Sequence, residues 1–189
     1  QAGQEDAPRV LADLVARGCT ERNWAISEAF VALDCAIFMQ HSVHSELGDI
    51  KQIAATVKFD VEEVITTDIS NFAVAFHIVS TDQSGSNLAV FTVQRKILSD
   101  ILLALQSNNI DPIVVEPDVS SLSRFVSKNV VLPEGAISLV GMFSGCNAYL
   151  VVFTGAERPS LMRTFLVRQA SNRNDLFAKE VHMTKARFA

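Results

Sequence analysis

Glu116 and Asp118 stand two residues apart around Pro117, and a pair of carboxylates can do general acid–base work or hold a cation. They close the stretch Asn108 to Asp118, in which two asparagines, a proline and the apolar triplet Ile113-Val114-Val115 precede them. Neighbours two apart in an extended turn can both face solvent without converging on one reacting atom. The sequence also offers a structural role, because Asp118 heads Val119-Ser120-Ser121-Leu122-Ser123-Arg124-Phe125-Val126. A carboxylate there satisfies free amides at a helix start, so Asp118 is expected to be an N-cap.

Three other groupings carry the residue types of a site. His41, His44 and Glu46 have a spacing that metal ligands use, but no fourth donor is near, and a solvated loop is expected. Gly141-Met142-Phe143-Ser144-Gly145 falls one place short of a nucleophile elbow, since the serine is fourth rather than third and the strained turn is not specified. Cys19, Cys35 and Cys146 are odd in number and show no C-x-x-C spacing, which argues against a disulfide framework or a zinc knuckle and for a reducing cytoplasm. Cys35 and Cys146 are read as core residues, neither with a partnered histidine.

The elements that must position these residues follow from periodicity. Residues 5–17 carry Val10, Leu11, Leu14 and Val15 at helical spacing, with a stop at Gly18. Residues 24–30 and 32–40 read as two strands, and Ser45 reads as the N-cap of a helix over 46–58. Strands over 74–79 and 88–93 flank a loop from Thr81 to Asn87; a helix over 97–105 ends at the asparagines. The triplet 113–115 reads as a strand buried on both faces. Strands over 136–142, 148–153 and 161–167, with a turn over 155–159, lead to a closing helix over 174–188.

At 189 residues, 49% of them hydrophobic, the chain has material for one good core or two small ones. A formal charge of −5 excludes a main task on nucleic acid, which needs clustered cations. No apolar run reaches the roughly 18–20 residues of a spanning helix. The chain opens on Gln1 with no apolar leader, so it is read as part of a longer polypeptide whose membrane contact, if any, lies elsewhere. Lys179, Lys185 and Arg187 suit either an anionic lipid surface or a solvated helical face.

The run "LAVFTVQRKILSDILLALQSNNIDPIVVEPDVSSLSRFV" resembles the cytoplasmic actin-like domains of bacterial inner-membrane platforms, the GspL family of type II secretion and the PilM family of type IV pilus assembly. In that pattern Pro112 opens a strand, Asp118 opens a helix and Arg124 stands near its end. "VLADLVARGCTERNWAISEAFVALDCAIFMQ" with "IKQIAATVKFDVEEVI" is similar to the small inserted subdomain of these proteins and of the cell-division protein FtsA. "AISLVGMFSGCNAYLVVFTGAERPSLMRTFLVR" is similar to the opening hairpin of the second actin-like lobe.

The resemblance implies an α/β (α+β) chain with an actin-like, ribonuclease H-like ATPase fold fragment and an inserted strand-helix-strand-strand subdomain. Residues 1–94 would form that subdomain with its leading helix, and residues 95–189 the actin-like core portion. It also implies a non-catalytic scaffold on the cytoplasmic side of the inner membrane, partnered by an assembly ATPase and by platform proteins, with pairing of two copies left open. An exposed edge strand near Phe30 or Phe72 is the expected docking place.

Such a fold grips phosphate between two hairpins carrying an aspartate and glycines. At the second, this chain has Gly141-Met142-Phe143 where Asp-apolar-Gly is expected, so the phosphate loop Gly141, Ser144, Gly145 is read as degenerate, with no catalytic residue, metal or cofactor. The alternative is a nucleotide-binding ATPase whose first phosphate hairpin lies outside this segment.

Overall fold

The computed structural model describes residues 7–26, 28–65, 68–155, 159–167 and 172–187. Helix α1 runs Ala7–Glu21, passing through Gly18, and the chain then turns at Asn23, whose φ of 52° is the left-handed value asparagine tolerates. The expected start at Glu5 lies outside the described residues. The two strands expected over 24–40 become β1, Ala29–Leu33, and β2, Met39–Ser45. Asp34 causes the shift: its carboxylate accepts from the amide of Ala36 and nucleates a 3-10 turn over Cys35–Ile37.

Helix α2, Ile50–Glu62, is capped by Asp49, which accepts from the amides of Lys51 and Gln52. Ser45 is therefore not its N-cap; it ends β2, buried. Strands β3, Phe72–Asp82, and β4, Gly85–Gln94, form a hairpin whose turn is two residues, far tighter than the seven-residue loop expected. Helix α3, Arg95–Gln106, ends on Asn109 at φ 57°. Strand β5, Pro112–Pro117, leads into α4, Asp118–Asn129. Strands β6, Ser138–Ser144, β7, Asn147–Phe153, and β8, Pro159–Leu166, precede α5, Arg173–Lys185. In the turn expected over 155–159, residues 156–158 lie outside the described residues, as does the expected helix end at Phe188.

Three sheets result, ordered β1-β5, β2-β4-β3 and β6-β7-β8. The first is parallel, and the pairing of β1 with β5 and the packing of α1 on α3 both cross the 94/95 boundary expected from the sequence. The other two are antiparallel meanders. β4 is central, and its alternation divides two cores. Leu88 and Val90 meet Ile53, Val57 and Val61 of α2, while Ala89 and Phe91 meet Val119 and Val126 of α4 and Tyr149, Val151 and Phe153 of β7. A third cluster joins Ala12 of α1 to Leu33, Ile101, Leu105 and Ile110. Each buried Val, Leu, Ile or Phe among them contributes about 1.5–3 kcal/mol relative to exposure.

β5 corrects one expectation. Ile113 remains 59% exposed and Val114 and Val115 are only partly buried, so the triplet is not buried on both faces. The triplet was too short to distinguish an interior strand from one in a two-stranded sheet.

Candidate functional site

The carboxyl ends of β1 and β5 lie side by side, and β7 closes against them. Asp34 leaves β1, Asp118 opens α4 directly after β5, and Asn147 and Tyr149 stand on β7, a strand buried along its whole length. The Asn147 amide donates to Asp34 Oδ1 at 2.7 Å, and the Tyr149 hydroxyl donates to Asp118 Oδ2 at 2.6 Å. Asp118 is thus not a side-chain N-cap. The residue in that place is Pro117, and the carboxylate turns inward to the phenol, its Oδ1 buried and without a hydrogen-bond partner.

Cys35 completes this polar centre. Ligand atoms of Asp34, Cys35 and Asp118 lie within 4.8 Å of one another, the one grouping of donors among the described residues that has the compactness of a metal site. Its chemistry is poorly matched to that task. Burial, and then the negative charge of Asp118, push the Cys35 thiol up to about 11, so the sulfur is protonated at neutral pH. Both carboxylates already accept hydrogen bonds. Burial and the bond to Asp118 likewise raise the Tyr149 phenol, which stays a donor. Sequence reading missed this centre, although Asp34 and Asp118 each follow an apolar strand run, the place where such folds collect functional side chains.

Glu116 and Asp118 do not converge. Arg124 holds the Glu116 carboxylate with both terminal nitrogens, Nη1 donating to Oε2 at 2.6 Å, and the Ser121 hydroxyl adds a third bond. Burial works to raise the Glu116 carboxyl, yet the bonds from Arg124 and Ser121 prevail and hold it below its ordinary range. A depressed folded pKa gives stability that is present above the unfolded value, about 4.5, and is lost as pH falls through the folded value. Glu116→Gln is therefore expected to cost about 1–2 kcal/mol at pH 7 and a smaller amount at pH 3. Urea titrations at the two pH values measure it, and an equal loss at both would disprove the ion pair.

The histidines form no metal centre. Both lie in β2 rather than in a loop, three residues apart and so on opposite faces. His41 reaches Thr92 Oγ1 at 3.3 Å, and burial lowers its pKa; His44 reaches Asn87 and the Ser84 carbonyl. Cys35 is buried as expected, but Cys146 is exposed, because the β6–β7 hairpin places it at the tip of a two-residue turn with Gly145. Lys179, Lys185 and Arg187 are exposed on and just beyond α5.

Gly141, Ser144 and Gly145, expected from the sequence to be a degenerate phosphate loop, lie in that hairpin. Gly145, at φ 57°, makes the turn, and Ser144 pairs with Asn147 across it. Gly141 lies under α5: a Cβ there would stand 2.4 Å from Cζ of Phe177. Phe143 packs on Phe177 in a tilted pair with ring centroids 4.6 Å apart, and the Arg173 guanidinium lies over the Phe143 ring, 4.0 Å from its centroid. Two aromatic rings and a guanidinium thus stand beside the hairpin.

A cleft of about 400 Å³ opens beside β3, between Phe76, His77 and Ile78 and the face of α4 bearing Ser123 and Ser127, with Met162 of β8 below. Among the described residues β3 is an edge of its sheet, the order being β2-β4-β3. Phe72 begins this edge but is itself buried at 6%. Phe30, expected on the same subdomain, belongs to β1 in another sheet and is 65% exposed.

A two-stranded parallel pair, an inserted three-stranded sheet with one helix and a second meander are the layout of an actin-like fold, and solved structures bear this out. The PilM–PilN type IV pilus biogenesis complex superimposes with a TM-score of 0.70 at 16% identity, covering 92% of this chain and 52% of that one. The cytoplasmic domain of EpsL, an inner membrane component of the type II secretion system of Vibrio cholerae, gives 0.57 at 17%, covering 88% and 58%. A Bacteroides thetaiotaomicron protein with an actin-like ATPase fold and unknown function gives 0.54 at 11%, covering 93% and 63%. The chain thus spans about half to three-fifths of the length of these structures. No curated protein matches the sequence.

Residues 30–148 match the family of type II secretion system protein L, and the chain belongs to that family. Among the described residues no helix is long and apolar enough to cross a membrane.

Proposed function

We propose that this chain is a non-catalytic scaffold on the cytoplasmic side of the inner membrane, where it binds an assembly ATPase and platform proteins of a secretion or pilus machine. The observation that carries the reading is the contact of Gly141 with Phe177. At the position where phosphoryl chemistry calls for a metal-holding carboxylate, a Cβ would stand 2.4 Å from the Phe177 ring of α5, so a side chain there must displace that ring. The hairpin then serves packing rather than catalysis.

Membership of a secretion family, and a structural neighbour that is itself a complex of two pilus proteins, support partner binding as the task. The cleft beside β3 gives such a partner a docking place, with apolar side chains seated against Phe76, Ile78 and Met162. Ser127→Trp fills this cleft from α4 and is expected to weaken capture of a platform protein about tenfold or more while leaving the melting temperature within about 2 °C. Binding of purified partners to the wild type and the variant measures it. Unchanged affinity for both the ATPase and the platform protein would remove the cleft from the account.

A further inference from the structure

We draw no further inference here: the strongest candidate, the exposed apolar residues Val10, Leu11, Leu14 and Val15 along α1, is an unpartnered surface, and nothing in the structure shows what covers it.

Discussion

Gly85→Ala is expected to destabilise the protein by about 3–5 kcal/mol, lowering the melting temperature by roughly 10 °C. Two independent costs combine at this position. Gly85 has φ 130°, a region that L side chains rarely adopt, and it stands where the β3–β4 hairpin meets the end of β2. A Cβ would lie 2.1 Å from the Ser45 carbonyl oxygen and 2.8 Å from the α-carbon of Glu46, both backbone atoms that no rotamer change can move aside. Relief requires either parting β2 from the hairpin or re-forming the turn, and either breaks the pairing of Ser86 with Ser45. Because the same hairpin sets the edge of β3, partner capture should fall together with stability. A melting temperature within 2 °C of the wild type would show that the turn is not held as described.

The second large effect is expected at Phe153→Ala, at about 3–5 kcal/mol. Phe153 is fully buried at the end of β7, in the cluster that joins β7 to α4 and to the inner face of β4. Truncation loses the transfer energy of the ring and leaves a cavity between two sheets that cannot both collapse onto it. Phe143→Ala, on the exposed neighbouring strand, makes the control: its ring is 42% accessible, and the loss there should be a third as large or less. Denaturant midpoints for the two variants measure the difference. Equal losses would mean that the core does not lie where β4, α4 and β7 meet.

Much of the element order was legible in the sequence, because α3, β4 and β7 have strong, uninterrupted apolar periods. Boundaries failed where a polar side chain captured the backbone. Asp34 and Asp49 each bind amides two residues on; the strand after Asp34 starts at Met39 rather than at 32, and the helix after Asp49 at Ile50 rather than at 46. That the β6–β7 hairpin lacks a carboxylate could be read directly from its residues. The packing of Phe177 against Gly141 could not, because α5 lies some thirty residues downstream and shows little periodicity that would orient it. The polar centre of Asp34, Cys35, Asp118 and Tyr149 escaped for the same reason: its members come from three separate places in the chain, the turn after β1, the start of α4 and β7, and only tertiary packing brings them together. Asp118 was singled out by local grammar, which assigned it a cap. Its inward turn to Tyr149 is a tertiary choice.

The central claim is that the β6–β7 hairpin cannot support metal-assisted phosphate binding. Isothermal titration calorimetry of magnesium and ATP into the complete protein tests it most directly. The account predicts no tight, magnesium-dependent binding, for the wild type or for Gly141→Asp, in which the restored carboxylate must displace Phe177. Magnesium-dependent binding of ATP at micromolar affinity or tighter, abolished by substitutions at Ser144 and Gly145, would contradict it.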